Sequence, residues 1–235
     1  MNDSKRVPLI DFLRGLAVIL MIIFHFNFDL SSFRITSPHF YKDEFWLGVR
    51  LLIMILFITL VGINLVLSQA GVTQKTFWHR QLKVLSCALA VSGGSYLLLP
   101  ASFIYFGVLH FIFIGSILGC LIVGANWARF NLIIGIFIIV FSQFYQSEVF
   151  DNPLLNWIGL TTHNPLTEDY VPLLPWLGVL LIGIFIGHQI LPRMPNLLRN
   201  FQIKPINFIG KNSLVIYMIH QPIMIGLFIL YIKLR

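Results

Sequence analysis

Charge is scarce in this 235-residue sequence: Asp, Glu, Lys and Arg make up 11% of it, whereas apolar residues make up 57%. The mean hydropathy of +0.86 leaves too little polar surface for a soluble domain of this size, which excludes that class of protein. The composition therefore predicts an all-α fold, a polytopic bundle of membrane helices whose first partner is the lipid bilayer.

Cysteine is almost absent as well. Cys87 and Cys120 both fall inside apolar segments, which excludes a framework of disulfides. We interpret both as small core residues. No Cys or His grouping has the spacing of metal ligands, so we expect no metal.

Seven apolar segments are each long enough to cross about 30 Å of hydrocarbon as a helix. Short polar or Pro- and Gly-rich joints separate them, and no soluble domain, repeat or low-complexity tail is visible. We therefore treat residues 1–235 as a single transmembrane domain. The predicted spans are 7–28, 45–68, 78–99, 104–124, 129–147, 172–191 and 212–232.

Basic residues divide unevenly between the two sides that these spans define. An excess of Lys and Arg marks the cytoplasmic side, so the division predicts a cytoplasmic N-terminus and an external C-terminus. This topology accounts for the net charge of +7, and we expect no nucleic-acid partner. The inner set is Lys5, Arg6, Lys75, Arg80, Lys83, Arg129, Arg193, Arg199, Lys204 and Lys211, and the outer set is Arg34, Lys42, Lys233 and Arg235.

The first span carries ionisable residues along one stripe. Arg14 and His25 share one face of the predicted helix, about 16 Å apart along its axis. Asp11 lies three positions before Arg14, and Asp29 lies four positions after His25. Charge within hydrocarbon is costly unless it is used or paired, so the stripe predicts a functional site. A purely structural Asp11–Arg14 ion pair is the alternative interpretation.

Ionisable residues on other spans fall at a similar depth to the outer end of this stripe. Arg50 begins the second span from outside, His110 begins the fourth, and Asp169 and Tyr170 precede the sixth. If their helices are neighbours, these residues share one external-side layer with the stripe. His220 lies nearer mid-membrane on the last span. A single membrane histidine is equally consistent with a helix-to-helix hydrogen bond, and an arginine at a span end can extend to the headgroups.

A neutral histidine beside a carboxylate is the usual general base, because the carboxylate fixes the ring tautomer. His25 with Asp29 has this form, and could take a proton from a sugar hydroxyl or amine that attacks a thioester carbonyl. Alternatively, the histidine accepts the acyl group itself. A cationic Arg14 or Lys211, nearer the cytoplasm, could hold a phosphate- or pantetheine-bearing donor.

These residues also resemble a family. DFLRGLA at 11–17 followed by His25 resembles the Arg-x10-His signature of transmembrane acyltransferases of the acyltransferase-3 type. Further segments resemble more closely the bacterial relatives of the heparan-α-glucosaminide N-acetyltransferase catalytic domain, and they extend over nearly the whole chain. They are FHFNFDL at 24–30, FITLVGI at 57–63, FGVLHF at 106–111, DYVPLLPWLG at 169–178 and GKNSLVIYMIHQP at 210–222.

The resemblance implies a glycan-modifying enzyme in the cell membrane of a bacterium or archaeon. Such an enzyme moves an acetyl group from cytosolic acetyl-CoA, or another acyl group from its acyl-CoA, to an amino sugar or hydroxyl of an extracytoplasmic or precursor saccharide. Residues 1–235 then form a single transmembrane acyltransferase-like domain. The chain has fewer spans than the lysosomal relatives, so we do not expect a eukaryotic heparan acceptor. The sequence leaves open whether the chain forms a homodimer.

The resemblance also implies a catalytic histidine. The acyltransferase-3 pattern indicates His25, whereas the lysosomal branch places it in the loop after the first span, where His39 is the nearest counterpart. We favour His25 because Asp29 lies beside it. Our full assignment is catalysis by His25, Asp29, His39 and His110, donor binding by Asp11, Arg14, Lys211 and His220, and acceptor binding by Arg50, Asp169 and Tyr170.

Two other functions fit an intramembrane histidine and acid. One is a small transporter or proton-coupled channel, although no inverted repeat is visible and the ionisable groups gather towards one face. The other is a non-catalytic membrane partner that retains the fold.

Overall fold

The computed structural model describes residues 6–33, 35–36, 43–69, 71–123 and 127–234. Within these residues the chain is helical and contains no strand, which confirms the all-α prediction. The α-helices are α1 (Pro8–Ser32), α2 (Glu44–Leu67), α3 (Lys75–Leu98), α4 (Val108–Ile122), α5 (Ala128–Phe144), α6 (Leu173–Phe185), α7 (Asn196–Arg199), α8 (Lys204–Lys211) and α9 (Ser213–Leu234).

Five helical segments of the described chain are long and apolar enough to cross a membrane, so this is an integral membrane protein. They coincide with five of the seven predicted spans. At the other two, α4 has 15 residues and α5 has 17, which give about 22 Å and about 26 Å of helix. Both are shorter than the roughly 30 Å of hydrocarbon. The count of seven and the cytoplasmic N-terminus therefore stay predictions.

Proline residues lie at or just before the start of two helices and inside a third. Pro8 opens α1, where the missing N–H is not needed, and Pro172 precedes α6. After α6 the chain continues through a π-helical turn, Ile186–Ile190, and a 3₁₀ turn, Leu191–Arg193. Pro222 lies inside α9, which remains one helix through it.

The described residues form two compact units, and the division falls within α2. The middle unit contains Ile58–Met194. The terminal unit contains Arg6–Phe57 together with Pro195–Arg235. The prediction of a single functional domain stays a prediction.

In the terminal unit, α1 lies beside α8 and α9 along its length. Backbone meets backbone where α1 passes α8: a Cβ on Gly15 would collide with the Ile206 carbonyl, and one on Gly210 with the Asp11 carbonyl. Along α9 the contacts progress in the same direction as along α1, so these two helices run parallel. The pairs, in order, are His25–His220, Asp29–Gln221 and Phe33–Phe228.

In the middle unit, α6 is the central element. Gly178 of α6 packs against Gly135 of α5, each too close to the other's carbonyl to accommodate a Cβ without a shift. On another face, Gly183 meets the backbone of Thr59 in α2, and Leu180 packs on Gly119 of α4. The glycines thus let neighbouring helix backbones approach closely, as small residues do in membrane bundles.

Candidate active site

The α1 stripe begins with an ion pair. Arg14 Nη1 donates to Asp11 Oδ1 at 3.1 Å and to the Gly210 carbonyl at 3.4 Å. Asp11 is 7% exposed, so its carboxylate is paired inside the terminal unit. Lys211, next to Gly210, is exposed. The structure thus places both predicted donor-binding cations at the end of α1 that contacts α8.

Further along α1, two histidines from distant parts of the sequence meet. The ring centroids of His25 in α1 and His220 in α9 are 5.1 Å apart. His220 is buried at 9% exposure, whereas His25 is partly exposed. Arg50 of α2 is near enough to interact electrostatically with His25. The predicted neighbourhood of His25 and Arg50 is therefore present in the terminal unit.

The tautomer of His220 follows from its partner. Its Nδ1 lies 2.6 Å from the Tyr217 carbonyl oxygen, which can only accept, so a neutral ring carries its proton on Nδ1. The lone pair then belongs to Nε2. That atom is buried and has no hydrogen-bond partner in the described chain. His220 therefore presents a basic nitrogen that the protein itself does not use.

Asp29 lies one turn beyond His25 and is 4% exposed. Its Oδ1 accepts from Gln221 Nε2 at 2.9 Å, and within the described residues no hydrogen bond joins it to His25. Its Oδ2 and the Gln221 Oε1 are buried without a partner there. Buried polar atoms are nearly always paired, so this cluster of unpaired atoms marks a place where a ligand's hydrogen-bonding groups would fit.

The middle unit holds the other predicted histidine in a different state. The N–H of Gly107 donates to His110 Nδ1 at 3.3 Å, and His110 Nε2 lies 3.1 Å from the Ser92 hydroxyl. The Ser92 hydroxyl in turn donates to the Ile104 carbonyl. Both ring nitrogens therefore have partners.

Asp169 caps the N-terminal end of α4, the helix that contains His110. Its Oδ2 accepts from the N–H of Val108, the first residue of α4, at 2.9 Å. An acidic side chain at a helix N-terminus satisfies an otherwise unpaired N–H and complements the helix dipole. A Cβ on Gly107 would fall on this carboxylate, so Gly107 leaves the space that the cap needs.

Tyr170 donates to the Asn156 carbonyl at 2.5 Å. Burial raises the pKa of Tyr170, so this phenol stays a protonated donor at neutral pH. The Tyr105 hydroxyl and Asn156 Oδ1 are buried and have no hydrogen-bond partner in the described part of the chain.

The sequence analysis did not name Gln221, which contacts Asp29, and it listed His220 with the donor-binding residues, a role that stays a prediction; the structure brings His220 beside His25. The segment 210–222 contained both residues, but their partners are on α1, almost 200 positions away. His39 lies outside the described residues. Among the residues that are described, no group of three or more His, Cys, Asp or Glu side chains could hold a metal ion.

Comparison with known proteins gives one finding. A family model described as heparan-alpha-glucosaminide N-acetyltransferase, catalytic, matches residues 6–222. The curated proteins and the solved structures give no match. The matched range contains both histidine clusters described above.

Proposed function

This chain belongs to the heparan-alpha-glucosaminide N-acetyltransferase catalytic family, and from that premise we propose that it transfers an acyl group to a saccharide from a cytosolic acyl-CoA, with acetyl-CoA as the first donor to test. Membership makes the chain a membrane acyltransferase; the donor, the acceptor and the residues are the proposal. The observation that carries it is the cluster of unpaired buried polar atoms around His25 and His220. The acceptor is an amino group or hydroxyl of an extracytoplasmic or precursor saccharide, and the membrane is that of a bacterial or archaeal cell.

The parallel course of α1 and α9 supports the predicted topology. If both cross the membrane in the same direction, the chain between them must cross an odd number of times. The total is then odd, and the termini lie on opposite sides. Seven crossings satisfy this condition, and the excess of basic residues on the N-terminal side makes that side cytoplasmic.

The donor enters, in this proposal, from the end of α1 that contacts α8. Arg14 and Lys211 bring positive charge there, and guanidinium and ammonium groups bind phosphate well. The distance along α1 from Arg14 to His25 is about 16 Å, so a long, flexible arm is needed to carry the acyl group to the histidines. A pantetheine arm, phosphorylated at one end and a thioester at the other, has that form.

The reaction requires a base where the thioester carbonyl meets the acceptor. We propose His25 as that base, with His220 as the second candidate because its Nε2 lone pair is unused. The acceptor N–H or O–H gives its proton to the histidine while its nitrogen or oxygen bonds to the carbonyl carbon. The carbon–sulfur bond then breaks, and the departing thiolate takes the proton from the histidine, releasing CoA.

In this proposal, the remaining polar side chains bind the acceptor and the reacting carbonyl group. Asp29 Oδ2 and Gln221 Oε1 accept hydrogen bonds from acceptor hydroxyl or amine groups. Arg50 stabilises the negative charge that develops on the carbonyl oxygen during attack. Asp169 and Tyr170 remain proposed acceptor contacts, with His110 beside them.

The test is acetyl-CoA turnover by the purified full chain in lipid nanodiscs, with glucosamine and small glycans as acceptors. His25→Ala is expected to lower CoA release by at least about a hundredfold, as loss of a general base does. His163→Ala, in an exposed loop, is the matched control and should match the wild type. Acetyl-CoA binding with unchanged turnover in His25→Ala would contradict the assignment of His25. A folded chain that does not bind acetyl-CoA would contradict the function.

A further inference from the structure

An apolar pocket of about 420 Å³ lies in the terminal unit, beyond the histidines. Its walls come from α1, from Ile35 shortly after α1, and from α9, and they carry almost no polar surface. Met224 and Phe228, each 8% exposed, form its floor, whereas Phe26, Leu227 and Tyr231 are exposed, so the pocket is open on one side. The wall residues are Phe26 and Leu30 from α1, and Leu227 and Tyr231 from α9.

The pocket begins where the unpaired polar atoms end. Phe26 follows His25 in the chain, Leu30 follows Asp29, and Met224 lies one turn beyond His220. Because α1 and α9 run parallel, the order along both helices is the same. It runs from the Arg14 end, through the histidines, to the apolar pocket.

We propose that this pocket holds the acyl chain of the thioester donor, and that the group transferred is a saturated chain longer than acetyl. This inference rests on the proposed function. A thioester carbonyl carbon has two substituents besides oxygen, the sulfur and the alkyl chain. If the carbonyl lies at His25 and His220 with sulfur on the Arg14 side, the alkyl chain extends the other way, into the pocket.

The dimensions and lining of the pocket fit that occupant. Its volume lies in the range of roughly 300–1,000 Å³ that small-molecule sites occupy, which is more than an acetyl group needs. Methionine is a flexible side chain that adapts to an irregular apolar ligand, and Met224 forms part of the floor. A bilayer lipid is another source of hydrocarbon, so the experiment must separate the two.

The experiment measures binding of CoA, acetyl-CoA and hexanoyl-CoA to the purified full chain in nanodiscs. Each buried methylene contributes about 0.8 kcal/mol, and 1.4 kcal/mol is a tenfold change in affinity. Hexanoyl-CoA should therefore bind at least about tenfold more tightly than acetyl-CoA. Leu227→Trp, which fills the pocket, should abolish this difference. Leu230→Trp is the matched control, because Leu230 is similarly exposed on the same helix but does not line the pocket.

A chain-length effect that Leu227→Trp removes and Leu230→Trp retains supports the proposal. Equal affinities for acetyl-CoA and hexanoyl-CoA would overturn it and leave the proposed function standing, with bilayer lipid as the occupant of the pocket. A higher affinity for hexanoyl-CoA that persists in Leu227→Trp would overturn the proposal as well. A folded chain that binds none of the three would overturn the proposed function and this inference together.

Discussion

His220 in the terminal unit and His110 in the middle unit both lie on apolar helices, but the structure gives their rings opposite tautomers. The backbone carbonyl of Tyr217 accepts from His220 Nδ1, which leaves the basic Nε2 unpaired. At His110 a backbone N–H occupies the basic nitrogen, and the Ser92 hydroxyl accepts from the other. The partner of the second nitrogen therefore decides whether such a histidine can act as a base.

The largest expected effect comes from replacing each ring by asparagine. An asparagine amide can substitute for Nδ1 in both places, donating at position 220 and accepting at position 110, while Nε2 is lost. His220→Asn removes the unpaired Nε2 beside the proposed base His25 and should lower kcat for acyl transfer by about a hundredfold, the low end of what a general base contributes. His110→Asn should lower it less than tenfold. The measurement is CoA release per folded molecule, and comparable losses in both variants would remove the distinction.

Removing one hydrogen-bonding group from each histidine cluster tests the difference between the two clusters further. Asp29→Asn keeps the shape of the side chain and removes its charge, and should lower kcat/KM by at least about tenfold, which is the loss of about 1.4 kcal/mol of transition-state binding. Ser92→Ala removes one partner of His110 and should lower the free energy of unfolding by about 1 kcal/mol with kcat/KM unchanged. Activity assays and denaturant melts of the same preparations check both. A pH–rate profile that Asp29→Asn leaves unaltered would indicate a structural role for Asp29.

Local features of this molecule could be predicted from the sequence, because they depend on neighbouring residues. All seven apolar segments coincide with helices, and the Asp11–Arg14 pair forms at the expected spacing of three. The partner of Asp29 could not be predicted in this way, because Gln221 is 192 positions distant. The tautomers of His110 and His220 depend likewise on folded neighbours. The sequence located the ionisable groups, and only packing decided which of their atoms are paired.

The cap at α4 provides a smaller, structural test in the middle unit. A Cβ at position 107 would fall on the Asp169 carboxylate, so Gly107→Ala must displace the cap. Overpacking of this kind costs about 1–3 kcal/mol. Gly94→Ala is the matched control, because Gly94 lies within α3 with open space around it, and it should stabilise the protein by about 0.5–1 kcal/mol. Thermal melts of both variants are the measurement. Equal shifts in melting temperature would contradict the assignment of Asp169 as the cap of α4.

The smallest effect concerns the loop between α5 and α6, where Asp151 accepts from the hydroxyl and the N–H of Thr162. These hydrogen bonds, led by the hydroxyl, hold the pKa of Asp151 below its usual 3.8, with a further contribution from His163. A carboxyl whose pKa is lowered on folding stabilises the fold above pH 3.8, and that contribution is lost as the pH falls through the lower folded value.

Asp151→Asn should therefore increase protease cleavage of this loop at pH 6, when compared with the wild type. The difference should shrink below pH 3.8, where protonation makes the native side chain resemble the amide. Limited proteolysis with an acid-stable protease across this range measures it, and Glu148→Gln, in the same loop, is the control. A difference that persists unchanged to pH 2 would show that Asp151 acts through shape. It would then resemble His110, both of whose ring nitrogens have partners, rather than His220, whose Nε2 has none in the described chain.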